Sequence, residues 1–419
     1  MRIKLFSYIL ITGWLLLFIS SIDSQAQTKR VLFLGNSYTG VNNLPLLFQN
    51  VCLSTGDSVF TDSNTPGGYT LQGHSTNATS LAKIATGNWD FVVLQEQSQI
   101  PSFTDSEVIT LSFPYARKLD SLINAQNSCA ETVFYRTWGR KNGDATNCAV
   151  WPPVCTYQGM DSLLHLRYMQ MATDNNALLS PAGVVWKNLR NYHPEIELYA
   201  TDGSHPSMAG SYAVACSFYA VILRKDPALI TYQAGLQDSV ASIIRNAASV
   251  VVYDSLSSWL VGIYDPVASF EYALTDNILS TQNNSSNATS YLWDFGDGSY
   301  ATDFSPSHTY MHGGNYTVTL TATKCGMTQQ SSRSLNVISM EEHTTSLYPN
   351  PVTEQLNITS HSSLEEKSFV IYNMLGQVVD KGHLEKNRTQ VSVSKLASGC
   401  YVIRFEDALT APLFFFKTR

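Results

Sequence analysis

The sequence predicts an α/β protein, a three-layer α/β/α domain on a parallel sheet, followed by two all-β sandwich domains. Three observations carry this. Short apolar stretches alternate with helix-period stretches through residues 28–262. Beyond Tyr264 the helical period stops, and Ser/Thr/Asn-rich alternating stretches such as "YTVTLTAT" take over. After a polar link, "EEHTTS", further alternating stretches run to Arg419, punctuated by Pro/Asn and Gly turns.

In chain order, strands are expected at Val31–Leu34, Ser58–Thr61, Phe91–Gln95, Val133–Thr137 and Gly183–Trp186. Most are rich in Val, Leu or Phe and poor in charge, as suits strands covered on both faces. Helices are expected between and after them, at Leu44–Leu53, Ser106–Ala125, Met160–Leu179, Ser207–Leu223 and Gln237–Ser249. In the last, Val240, Ile244 and Ala247 make an apolar stripe. A parallel sheet places its ligands beyond the carboxyl ends of its strands, and Ser37 follows the first strand there.

Composition narrows the function classes. Hydrophobic residues make up 44% of the 419, enough for a sizeable core. Charged residues make up only 14% and the net charge is −7, which argues against a nucleic-acid partner and against a polybasic membrane patch. The N-terminal stretch has Arg2 and Lys4, an apolar run and a small-residue end near Ala26, so residues 1–26 read as a signal peptide. A membrane anchor is the alternative, since Leu5–Ile22 is uncharged and long enough to span. No other apolar run reaches that length, so no stable span is expected in the mature protein. Export permits disulfides, and Cys148 and Cys155, flanking "AVWPPV", form a candidate pair. Cys52 and Cys216 read as buried thiols, and no Cys/His spacing points to a metal.

The chemistry resides in two short stretches. "RVLFLGNSYTG" runs an apolar strand into Gly35, Asn36 and Ser37. "ATDGSHPSMAG" sets Asp202 and His205 three residues apart, just before a helix. A serine nucleophile needs a base within hydrogen-bond reach, and the base needs an orienting carboxylate. Asp-x-x-His supplies both on one turn. An oxyanion hole needs further donors. The loop "TPGGYTLQGH" offers the N–H of Gly67 or Gly68, and "FVVLQEQS" offers the side-chain amide of Gln95 or Gln97.

These ordered blocks resemble the SGNH (GDSL-type) hydrolase superfamily, whose domain is flavodoxin-like. "GNSYT" stands at its nucleophile block, "GGYT" at its glycine block, "LQEQS" at its third block and "DGSHPS" at its final Asp-x-x-His block. The resemblance covers about residues 28–225. It implies Ser37 as nucleophile, His205 as base, Asp202 as its partner, and an oxyanion hole from Ser37, Gly68 and Gln95. Two positions depart from the family pattern: Asn36 replaces an Asp, and a glutamine replaces the asparagine of the third block. "LQEQS" is similar to the "HQGES" of carbohydrate acetylesterases. Trp138, Arg140 and Trp186 are candidate cleft residues for a sugar substrate, whereas Glu96 and His74 are read as non-catalytic.

Residues 263–338 resemble a PKD-type module through "WDFGDGS" and "GGNYTVTLTAT", with Asp294 and Asp297 shaping a turn. Residues 347–419 resemble the C-terminal sorting domain of type IX secretion through "LYPNPVTEQLNI", "IYNMLGQVV" and "LASGCYVIRF". The resemblances together imply a secreted or surface-attached serine esterase that engages the secretion machinery and needs no cofactor. Its expected substrate is an acetyl ester on a poly- or oligosaccharide. The alternatives are a catalytically inactive surface glycan-binding protein, or a lipase or thioesterase of the same superfamily.

Overall fold

The computed structural model describes residues 28–338, 345–359, 367–385, 388–406 and 412–419. The expected signal peptide and most of the polar link lie outside the described residues. Two compact units are present. The first runs to Val267 and includes Asn287–Thr289 and Thr323–Thr328; the second holds the remainder.

In the first unit the chain runs β1 (Lys29–Leu34), α1 (Ser37–Gly40), α2 (Leu44–Leu53), β2 (Val59–Asn64), α3 (Leu71–His74), α4 (Ala78–Ala85) and β3 (Phe91–Leu94). It continues through α5 (Asp105–Leu111), α6 (Phe113–Gln126), β4 (Glu131–Tyr135), α7 (Tyr157–Asp174) and β5 (Leu178–Ser180). It ends with α8 (Ala182–Tyr192), α9 (Met208–Leu223) and α10 (Asp238–Val251). The five strands form one parallel sheet in the order β2-β1-β3-β4-β5.

Strand alternation divides the core between the two faces of this sheet. Val31, Phe33, Val93 and Tyr135 face one cluster, which α2, α8, α9 and α10 complete. Leu32, Leu34, Val92 and Phe134 face the other, completed by α6 and α7. Burial on both faces is why these strands read as nearly continuous apolar runs. α9 is buried from Ala209 to Ile222 without a polar stripe, because it packs on the sheet and also against α2, α8 and α10. The strand order reverses between β1 and β3, the place where such sheets open a crevice at their carboxyl ends.

Two expected elements are corrected. Gly183–Trp186 is helical, inside α8, and the fifth strand is Leu178–Ser180. A short apolar run does not distinguish strand from buried helix by period alone. The preceding helix ends at Asp174, closed by Asn176 in the left-handed region and a bond from the Ala177 N–H to the Ala172 carbonyl. The expected helix Ser106–Ala125 is two helices broken at Ser112, two residues before Pro114.

In the second unit, strands between Phe270 and Val337 form one three-stranded and one four-stranded sheet. Trp293 is fully buried there, edge-on to Phe270. Asp294 and Asp297 accept the N–H groups of Gly296 and Ser299, shaping the turn. Strands between Ser346 and Lys417 form two more sheets around a core of Val352, Leu356, Ile371, Ile403 and Phe415. No helix among the described residues is long and apolar enough to cross a membrane.

Candidate active site

The turn that carries Ser37 is built from below. β1 delivers Gly35, and a Cβ on it would lie 2.4 Å from the Thr39 hydroxyl and 2.6 Å from Gln95 Oε1. Only glycine leaves room for that close approach. Asn36 then caps α1: its Oδ1 accepts the Tyr38 N–H at 3.0 Å, and its Nδ2 donates to the Tyr69 carbonyl at 2.9 Å. A carboxylate could do the first and not the second, so the Asn at this position ties the nucleophile turn to the glycine-bearing loop. Ser37 opens α1, half-buried at the rim.

The second loop meets it there. His205 Nε2 stands 2.9 Å from Ser37 Oγ, and His205 Nδ1 stands 2.5 Å from Asp202 Oδ2. The carboxylate only accepts, so Nδ1 carries the proton and Nε2 is free to accept from the serine hydroxyl. Asp202 Oδ1 also accepts the N–H groups of Ser204 and His205. Partial burial pushes the Asp202 carboxyl up, but these hydrogen bonds outweigh it and hold it down at about 2. The loop passes directly into α9, capped by Ser207, whose hydroxyl accepts the Gly210 N–H and donates to the Glu197 carbonyl.

Gln95 does not present its amide to the rim, which corrects its expected place among the oxyanion donors. The side chain is fully buried beneath the nucleophile turn. Its Oε1 accepts from the Asn36 N–H and the Thr39 hydroxyl, each at 2.9 Å, and its Nε2 donates to the Glu96 carbonyl. Gln97 is likewise engaged with its own loop, its Oε1 accepting from the Gln99 and Ile100 N–H groups. Gly68 has φ +68° and open space where a side chain would stand.

Trp138 and Trp186 are fully buried and stack on each other with ring centroids 3.6 Å apart, so neither offers a face to a sugar; this corrects their expected place in the cleft. Arg140 keeps a partly exposed side chain and pairs with the buried carboxylate of Asp144 at 3.2 Å. Asp144 also accepts from Gln99 and Asn147.

Glu96 and His74 brace the site from inside. Glu96 is fully buried, and its Oε1 accepts the N–H groups of Leu71 and Gln97. Burial pushes its carboxyl up to about 7 against those opposing bonds. His74 donates from Nε2 to the Gly35 carbonyl at 2.9 Å and meets the Ser80 hydroxyl through Nδ1. Burial lowers its basicity, which keeps it neutral.

Cys148 and Cys155 are joined by a disulfide. A second joins Cys129 to Cys325, within the first unit and 196 residues apart in sequence, a pairing that no local spacing announces. Cys52 and Cys216 are buried thiols, the latter pushed up to about 12 by burial.

Residues 267–338 match the PKD domain family, and residues 346–411 match the secretion system C-terminal sorting domain. The pre-pro-metalloprotease PrtV of Vibrio cholerae is 45% identical over 62 residues, 14% of this chain and 7% of that protein. Three solved structures bracket the chain's similarities. A Slackia heliotrinireducens protein assigned as a candidate SGNH hydrolase is 29% identical, covering 46% of this chain and 99% of that one, with a TM-score of 0.38. A DUF4886 family protein from Bacteroides uniformis is 15% identical over 55% of this chain and 95% of its own, with a TM-score of 0.47. The PKD1 domain of the Vibrio cholerae protease is 38% identical over 18% of this chain and 99% of its own, with a TM-score of 0.18. After its α/β domain the chain thus carries a segment that matches the PKD domain and one that matches the secretion system C-terminal sorting domain.

Proposed function

We propose that the protein is an exported serine esterase that removes an acetyl group from a poly- or oligosaccharide. The observation that carries the reading is the continuous Asp202–His205–Ser37 hydrogen-bond relay at the carboxyl end of β1. Ser37 Oγ attacks the ester carbonyl while His205 Nε2 takes its proton. The tetrahedral oxygen is held by the Ser37 and Gly68 N–H groups. Gln95 supports that hole at one remove, by fixing the Asn36 N–H beneath the turn. The imidazolium, stabilised by Asp202, protonates the leaving sugar hydroxyl. Water then clears the acyl-enzyme by the same proton route reversed. The reaction as written needs no cofactor.

The sorting domain supports export, and the "LQEQS" resemblance supports an acetyl ester on carbohydrate. With both tryptophans buried, sugar contact falls to polar groups, and Arg140 is the partly exposed cation among the expected cleft residues. The test compares p-nitrophenyl acetate turnover by the mature chain with that of its Ser37→Ala variant. Turnover that depends on Ser37 supports the reading; equal rates favour an inactive glycan-binding protein. A chain-length series from acetate to octanoate then separates an acetylesterase from a lipase.

A further inference from the structure

The base loop is held from a side that the catalytic relay does not include. Tyr38, the neighbour of Ser37, is 3% exposed, and its hydroxyl lies 2.6 Å from the hydroxyl of Ser204, the neighbour of His205. The backbone carbonyl of that same serine accepts the Trp138 indole N–H at 3.1 Å. Tyr38 and Trp138 lie face to face, centroids 5.0 Å apart and planes 7° from parallel, and Trp138 continues the stack onto Trp186. Tyr38 also stands edge-on to the His205 ring at 5.3 Å. Ser204 is therefore gripped at its hydroxyl by the nucleophile's neighbour and at its carbonyl by the aromatic stack.

We propose that Tyr38 is a positioning residue: through Ser204 its hydroxyl holds the His205 imidazole in line with Ser37, so nucleophile and base move as one body. Asp202 and His205 are half-exposed, and their loop is tied at its edges by the Lys141 N–H to the Gly203 carbonyl and the Trp138 indole to the Ser204 carbonyl. Asp202 sets which way the imidazole nitrogens point; it does not fix the distance from that loop to Ser37. The Tyr38–Ser204 bond spans the two loops between the immediate neighbours of Ser37 and His205, at 2.6 Å against 3.3 Å for the Asn42 amide on the Pro206 carbonyl, and so bears most directly on that distance. The stack beneath explains why two tryptophans lie buried under a rim expected to use them against substrate. Ser98 also approaches the Tyr38 hydroxyl, so a Ser204 variant is the arm that isolates the link to the base.

This inference rests on the proposed esterase reading, and the experiment separates the two. Tyr38→Phe, Ser204→Ala and the double variant of the full chain are assayed with p-nitrophenyl acetate beside wild type and Ser37→Ala. Losing one neutral hydrogen bond that acts on the reacting geometry lowers kcat by about 3- to 10-fold. KM stays within about twofold, and the double variant loses no more than either single one. Thermal melts report folding. A Tyr38→Phe protein that keeps wild-type kcat, or whose losses add to those of Ser204→Ala, overturns the proposal. If wild type turns over no faster than Ser37→Ala, the esterase reading fails and a second measurement decides the tie. The downfield proton resonance of His205 Nδ1–H persists in wild type and broadens in Tyr38→Phe if the tie holds the ring. An unchanged resonance overturns it.

Discussion

The two loops that meet at the rim are held by opposite means. The nucleophile turn is buried: Gly35, Asn36 and Thr39 are enclosed, with Gln95, Glu96 and His74 filling the space beneath. The base loop is open, with the Asp202 side chain 49% and the His205 side chain 35% exposed. The first is fixed by packing and by buried hydrogen bonds to Gln95, His74 and one oxygen of Glu96, where each lost partner costs stability. The second is fixed by a few directed hydrogen bonds. Damage to the turn therefore lowers stability and turnover together, whereas damage to the loop lowers turnover in a protein that melts normally.

The largest expected effects lie at the meeting point and on the open side. Ser37→Ala and His205→Ala lose about 10³-fold or more in kcat, with melting temperatures close to wild type. Asp202→Asn keeps the shape and removes the charge, and it loses about 10²- to 10⁴-fold. Because the Asp202 carboxyl sits at about 2, it stays ionised in mildly acidic buffer. Its stabilising effect is present above the ordinary carboxylate range and is lost only as pH falls towards 2. A pH–rate profile of wild type beside Asp202→Asn checks this.

On the buried side, Glu96→Gln sharpens the contrast through pH. The Glu96 carboxyl is raised from its unfolded value to about 7, so between roughly pH 4.5 and 7 the folded state binds the proton and the unfolded state does not. Wild-type stability falls as pH rises through that window, by up to about 3 kcal/mol, and the Gln variant loses that slope. Denaturant midpoints at pH 4.5 and 7.5 measure it. Gln95→Ala strands the Asn36 N–H and costs about 1–3 kcal/mol, together with a drop in kcat. Asn36→Asp is the smallest change: it keeps the cap and sets a carboxylate against the Tyr69 carbonyl, costing about 1 kcal/mol. A Gln95→Ala protein that melts like wild type and loses only turnover breaks the comparison.

Much of this architecture was legible in the chain. Strands covered on both faces, such as β1 and β3, announce themselves by uninterrupted Val, Leu and Phe, and β1 to β4 all stand within a few residues of expectation. β5 has three residues, fewer than any period needs, and it hid at the end of a helical run. The relay residues were readable because Asp-x-x-His before a helix and Ser after a strand-end glycine are local patterns. The direction of the Gln95 amide was not, since it is a rotamer chosen by Asn36 and Thr39, which the fold brings from another strand end. The burial of Trp138 and Trp186 escaped for the same reason: a tryptophan at a strand end and one misread as a strand end gave no sign of stacking together. Ser37, His205 and Asp202 could be named from sequence, but the Tyr38–Ser204 bond joins residues 166 apart and needed coordinates.

α9 is enclosed on every side, and the base loop is its leader. Fraying is opposed there, because the helix enters the core from Ala209, one residue after its exposed first position, Met208. Heat should then switch the α/β domain off in a single event: residual turnover and the helical part of the far-ultraviolet ellipticity fall at one temperature, with no earlier silent phase. Any drift of the reacting groups towards a new substrate has to come from the strand ends that face them, since the helix behind the base has no room to shift.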